Sequence, residues 1–246
     1  MTAAGLYVYG VVRTGHPLPA GRRGVGDPPG PLRLIRHGAI AAVAGPAPPG
    51  LRARRRDLLA HQELLLALAA DGPVLPMRFG MVAPDEDTVL RDLAAGEQER
   101  SAALTRLDGR CELNLKASPV EDGLAALLRE DEGVRRLRDE VRGRPSYQGS
   151  LRLGESVAAG LTRRAKAAVE QVLRACAPLA EQLVEGPDVQ GCVRNVSFLV
   201  GRDNEAPFRA AVERLAAEHR DAVELRLTGP LPCYSFADPG SVPATA

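Results

Sequence analysis

Cys111-Glu112-Leu113-Asn114-Leu115-Lys116-Ala117 alternates apolar and polar side chains, the period of a strand with one wet face. The order of elements C-terminal to this strand decides the fold class. Residues 120–142 read as helical and highly charged until Gly143-Arg144-Pro145 breaks them. A long helix is expected over 154–185, with an apolar stripe of Val157, Leu161, Ala165, Ala168, Val172, Ala175, Leu179 and Leu183 stepping mostly by three and four. Several members of the stripe are Ala, so a partner helix could approach closely. Pro178 should kink the helix near its end. After Gly186-Pro187 come a strand region at 189–200, a helix at 205–219 and a strand at 222–228. The helix packs through Phe208, Val212, Leu215 and Ala216, and the last strand sets Val223, Leu225 and Leu227 against Glu224, Arg226 and Thr228. Strand, helices, strand, helix, strand is the order of an α+β layer with helices on one sheet face.

Upstream, a strand over 6–13 alternates Leu6, Val8 and Gly10 with Tyr7, Tyr9 and Val11. Residues 14–31 are rich in Gly and Pro and read as a loop. Two short strands, 32–37 and 39–44, flank a tight turn at Gly38. Gly45-Pro46-Ala47-Pro48-Pro49-Gly50 can be neither helix nor central strand. A helix over about 51–70 stops at Asp71-Gly72-Pro73, and 74–82 is a strand whose Pro76 marks an edge or a bulge. A further helix, about 85–107, starts with Asp85, Glu86 and Asp87 at its positive dipole end. The expectation is an α+β protein of two domains: an N-terminal α+β domain at 1–108, and a second domain at 109–237 carrying the long helices. A disordered tail is expected over 238–246.

Bulk properties narrow the function classes. The chain's 246 residues are enough for one large or two small cores. A net charge of +1 supplies no broad field to draw nucleic acid or anionic lipid. No apolar stretch reaches the roughly 18 residues of a membrane span, and the N-terminus lacks the pattern of a signal peptide, so a cytoplasmic protein is expected. Cys111, Cys176, Cys192 and Cys233 are far apart without C-x-x-C spacing and read as small apolar residues rather than metal ligands.

Tests for chemistry fail in turn. None of the nucleophile-elbow, zinc-protease, Walker or dinucleotide motifs occurs. Gly21-Arg22-Arg23-Gly24-Val25-Gly26-Asp27 could cradle a phosphate, but it runs into Pro28-Pro29-Gly30-Pro31 instead of a helix. His61 and Glu63 sit two apart on a helix and cannot act as a pair, so His61 reads as a structural histidine. His16, His37 and His219 are isolated in sequence. Arg52, Arg54, Arg55 and Arg56 make a basic run without the aromatics that stack bases. No catalytic, cofactor-binding or metal-binding residue can be assigned, and no enzyme is expected.

Four stretches carry a resemblance. They are Tyr7-Val8-Tyr9-Gly10-Val11-Val12, the run from His61-Gln62-Glu63 to Val74-Leu75-Pro76-Met77-Arg78-Phe79-Gly80-Met81-Val82, Asn195-Val196-Ser197-Phe198-Leu199-Val200, and Gly229-Pro230-Leu231-Pro232-Cys233-Tyr234-Ser235-Phe236. In this order they resemble the gas vesicle protein F/L family over nearly the whole chain. Departures from the family's usual residues fall at Met81, Leu231 and Cys233.

The resemblance implies an accessory or minor structural protein of gas vesicle assembly, with a C-terminal domain related to the ferredoxin-like fold. Its implied partners are the small hydrophobic shell protein, met during nucleation or in lining the vesicle wall, and other gas vesicle accessory proteins; nucleic acid and membranes are not among them. Its implied location is the gas vesicle. The candidate partner-binding residues are Arg78 and Phe79 near the 74–82 edge, and Leu161, Ala165, Ala168 and Val172 on the long helix. Two plainer roles stand beside these: the stripe could simply cover the sheet, and Arg78-Phe79 could lock the domain junction. Two other functions remain as alternatives, an enzyme or binding module for a small phosphorylated or nucleotide ligand at the 21–30 loop, and a nucleic-acid binder using Arg52 to Arg56.

Overall fold

β1 (Leu6–Arg13) is the strand around which the first sheet is built. It pairs antiparallel with β3 (Ile40–Pro46), which in turn pairs with β2 (Arg33–His37). On its other side β4 (Val74–Pro76) and the two-residue β5 (Val82–Ala83) share the same edge of β1. The computed structural model describes residues 5–237, the side chain at 121 excepted. The tail expected over 238–246 lies outside the described residues.

The register of β1 against β3 shifts between Val8 and Gly10, so Tyr9 is an extra residue. A bulge of this kind resets the two-residue alternation. Tyr7, Tyr9 and Val12 therefore fall in one buried cluster, with Leu64, Leu65 and Leu68 of α1 (Arg55–Asp71). Val8 and Val11 line a cavity on the opposite face. The unbroken alternation expected from the sequence is thus corrected after Tyr9. Gly10 has a steric reason: a Cβ there would stand 2.8 Å from the Leu75 carbonyl oxygen, so only glycine lets β4 come this close.

The helix expected over 85–107 is two helices, α2 (Glu86–Ala95) and α3 (Glu97–Leu107), joined at Gly96. Asp85 caps α2 by accepting from the Thr88 amide at 2.8 Å. Arg100 laces the break, its guanidinium 2.8 Å from the Asp92 carboxylate and 2.7 Å from the Asp92 carbonyl.

The second unit begins with β6 (Arg110–Pro119), then α4 (Leu124–Glu130), α5 (Glu132–Gly143) and α6 (Tyr147–Cys176). Then come β7 (Gln182–Glu185), β8 (Arg194–Gly201), α7 (Glu205–Glu218) and β9 (Val223–Leu231). The sheet order is β7-β8-β6-β9, which with this succession of elements is the ferredoxin-like arrangement, its first crossover lengthened by α4 and α5. The protein is α+β. Two compact units emerge from the packing: residues up to Glu112 together with those from Pro230, and Leu113–Gly229.

The long helix differs from expectation at both ends. It starts at Tyr147, where Ser146 caps it by accepting from the Gly149 amide at 3.0 Å. It ends at Cys176, because Pro178 lies in the 3-10 turn Ala177–Leu179 and closes the helix instead of kinking it. Leu183, expected as the last member of the helical stripe, is in β7 opposite Phe198. Ala165, Ala168 and Val172 are 0%, 5% and 0% exposed, buried with Leu113, Leu115, Phe198, Val200 and Phe208. The stripe's apolar face at these three candidate partner-binding residues is therefore spent on its own sheet. The short alanines let α6 lie close to the strands. Replacing Ala165 by Leu should overpack this layer and cost about 1–3 kcal/mol, read as a lowered urea midpoint by circular dichroism. An unchanged midpoint would mean that the Ala165 face has room to spare.

Candidate functional site

β4 pairs with Gly10–Val12 and β5 with Leu6–Tyr7, which leaves residues 77–81 looping out opposite Val8 and Tyr9. Both ends of this excursion are tied to β1. The Met77 amide donates to the Tyr9 carbonyl at 2.8 Å, and the Val8 amide donates to the Met81 carbonyl at 2.9 Å.

Its middle is held from α1. His61 Nε2 lies 3.1 Å from the Met77 carbonyl oxygen, which can only accept, so Nε2 carries the proton. Nδ1 is then the acceptor for the Tyr7 hydroxyl at 2.9 Å. That hydroxyl in turn accepts from the Gly80 amide at 3.1 Å. Phe79 packs inward, its ring centroid 5.9 Å from Tyr7 and 5.7 Å from His61. Burial is the main cause that holds His61 below its ordinary pKa, partly offset by the bond to the Met77 carbonyl. Burial likewise pushes the Tyr9 hydroxyl up to about 12. Every polar atom of the His61–Tyr7 pair has a partner, and the arrangement is a structural lock.

On the far face of the sheet the same excursion borders an apolar groove of about 620 Å³, lined by Val8, Val11, Leu75, Met81, Val82 and Leu93 among others. Met81 and Val82 are 49% and 48% exposed. Met77 also lines it, so both methionines of the chain other than Met1 belong to this one groove. Its far wall comes from α2 and α3, where Asp92, Glu99 and Arg100 reach the lining. Arg100 is occupied by Asp92, whereas exposed Glu99 has no ion-pair partner among the described residues.

The other places singled out in the sequence are not brought together. The glycine-rich loop has committed its amides: Gly24 N–H to the Gly30 carbonyl at 2.9 Å, Val25 N–H to the Tyr9 hydroxyl at 2.7 Å and Gly26 N–H to the Asp57 carboxylate at 3.0 Å. The Asp57 carboxylate takes only the last of these amides, and Arg22 is paired with Glu63 at 2.7 Å. With these bonds in place, the Gly24, Val25 and Gly26 amides are not free to cradle a phosphate. Arg56 is taken by Asp27 at 2.7 Å, while Arg52, Arg54 and Arg55 are exposed. Among the described residues no three His, Cys, Asp or Glu side chains gather as a metal site, and no helix is long and apolar enough to cross a membrane.

A family model described as gas vesicle synthesis protein GvpL/GvpF matches residues 5–238. The chain belongs to this family. It is 41% identical to gas vesicle protein F of Streptomyces sp. (strain CB03234), over 94% of this chain and 99% of that protein. It is 34% identical to gas vesicle protein L of the same organism, over 94% and 92%. The crystal structure of the gas vesicle protein GvpF from Anabaena sp. PCC7120 shares the fold, with a TM-score of 0.76, 23% identity and coverage of 96% and 99%.

Two of the four stretches that pointed to the GvpL/GvpF family have visible structural roles in this member. The first is the locked excursion. The second ends the first unit: Glu112, 3% exposed, accepts from the Ser235 amide at 2.8 Å and from its hydroxyl at 2.7 Å. The Phe236 carbonyl accepts from Arg106 at 2.7 Å, and the Phe236 ring is fully buried. These bonds explain why residues from Pro230 fall with the first unit, whereas their place in the chain suggests the second. Of the candidate partner-binding residues, Arg78 is exposed, Phe79 is half-buried in the tyrosine core and Leu161 is half-buried on α6. The groove residues Met77, Met81 and Val82 are not among those candidates, although two methionines within one motif are a legible sign of an adaptable apolar surface.

The lock has a pH signature. A folded pKa below the ordinary 6.5 means that the native state favours neutral His61. Its contribution is complete above about pH 6.5 and is lost as pH falls from there toward the folded value. The stability gap between the wild type and a His61→Gln variant should narrow from pH 7 to about pH 5 in thermal melts. A gap that stays constant or widens would remove the lock from the pH response.

Proposed function

We propose that this GvpL/GvpF protein acts in gas vesicle assembly by binding the small hydrophobic shell protein, at nucleation or in the vesicle wall, without catalysing a reaction. The observation that carries the reading is the apolar groove of the first unit, open to solvent along Met81 and Val82 in a chain of this family. A shell subunit rich in apolar surface needs a chaperoning partner that offers matching surface in a bounded place. A groove does this, whereas an open patch would draw the protein to itself. Methionine suits the task because its unbranched side chain adapts to the shape presented. Arg78, exposed on the same excursion, is retained as a candidate contact, and Leu161 is a weaker one.

The non-enzymatic part draws support from where the polar groups go. His61 is locked between Tyr7 and Met77, and the loop amides that could have met a phosphate are given to Gly30, Tyr9 and Asp57. Other gas vesicle accessory proteins are proposed as further partners, with the vesicle as the place of action.

Co-expression with the small shell protein, and then capture through a tag on this chain, tests the reading. Specific co-purification that survives moderate salt is expected, since apolar burial is not screened by ions. Capture that fails while both proteins are soluble and folded would overturn shell-protein binding.

A further inference from the structure

Both internal methionines converge on one groove, and its helical wall belongs to a stretch that is acidic in a chain that is nearly neutral. Residues 85–107 hold six acids, Asp85, Glu86, Asp87, Asp92, Glu97 and Glu99, against Arg91, Arg100 and Arg106, while the whole chain carries +1. Several of these charges have local duties. Asp85 caps α2, Glu86 pairs with Arg33 at 2.8 Å, Asp92 holds Arg100, and Glu97 accepts from the Ala39 amide at 2.8 Å. Glu99 has none among the described residues, and it lies in the groove lining beside an apolar floor.

We propose that the groove seats an apolar segment of the shell protein that carries a basic side chain at one end, the basic group meeting Glu99. The proposal rests on the shell-binding reading and adds to it the place, the chemistry of the bound segment and its polarity. Apolar anchors enter between Val8, Val11 and Leu75 on the sheet and Leu93 on α2, with Met81 and Val82 closing over them. Burial of the anchors supplies the affinity, and the charge pair at the rim fixes the direction in which the segment lies. The groove is already rigid where it must be. The bonds from β1 and His61 hold the excursion, so the backbone at Met81 needs no ordering on binding and only its side chain loses freedom.

The test uses the full chain and the shell protein carried on a soluble fusion partner. Met81→Glu and Val82→Glu place a charge at the groove mouth, and both sites are about half exposed, so the fold should tolerate them. Glu99→Arg reverses the rim charge. Tyr147→Ser, 84% exposed on α6, is the control. Melting curves accompany every variant.

The two groove variants should weaken capture by roughly tenfold or more, as loss of a central anchor does. Glu99→Arg should weaken it most at low salt, and Tyr147→Ser should leave it unchanged. Groove variants that melt like the wild type and still capture the shell protein fully would overturn the proposal while leaving shell binding intact. Absence of capture by the wild type would overturn both. Self-association of the wild type that Met81→Glu abolishes, with shell capture untouched, would assign the groove to a second copy and likewise overturn the proposal.

Discussion

One extra residue in β1 organises the first unit. Without the bulge at Tyr9, the strand's alternation would turn Tyr7, Tyr9 and Val11 toward α1, with Val8 and Val12 on the other face. With it, Val12 joins the two tyrosines in the α1 core, and Val11 joins Val8 in the groove. The bulge also sits opposite the 77–81 excursion, so β1 gives up regular pairing on both edges at the same level. The Met77 and Met81 backbone bonds close that gap. The local departure from ideal strand geometry creates both an aromatic core on one face and an apolar hollow on the other.

His61 shows how a histidine can suggest chemistry and serve architecture. Its two ring nitrogens join three chain segments, α1, β1 and the excursion, through two hydrogen bonds and the relay through Tyr7 to Gly80. A buried network is stabilising only when every member is satisfied, and this one is. The same accounting disposes of the glycine-rich loop. Backbone amides bind an anion when they converge unpaired, yet here three successive amides have found protein acceptors, one of them a buried carboxylate. Composition alone cannot distinguish these cases, because Asp57 lies far along the chain and on another element.

Much of the fold is legible in the sequence for local reasons. Alternation locates β1, β6 and β9, and Gly-Pro punctuation locates the end of α1 and the turn at Gly38. Errors arise where one signal has two readings. Leu179 and Leu183 continue a helical stripe past Pro178, but the proline lacks the donor that would carry α6 on, and pairing with β8 claims Leu183. Gly96 reads as helix interior because flanking leucines keep helical spacing, although its weak propensity marks the joint between α2 and α3. The Ala stripe is ambiguous in principle: small residues suit a close partner helix and a close sheet equally, and only the topology shows that the sheet is there. Within the 74–82 motif, the side chains that turn outward cannot be read from the residues alone, because their direction depends on the bulge.

The two faces of the excursion also constrain how its sequence can vary. Phe79 must fill the space beside Tyr7 and His61, so a smaller side chain there would loosen the lock and with it the position of Met81. Met81 itself is half exposed and meets no such demand from the core. Stability therefore acts on Phe79 and Gly80, while the proposed binding acts on Met77, Met81 and Val82. Residues side by side in one motif answer to different pressures. For the proposed function, that separation lets a surface adapt to an apolar partner without disturbing the core that presents it, and it places the adaptable side chains where the backbone is tied to β1.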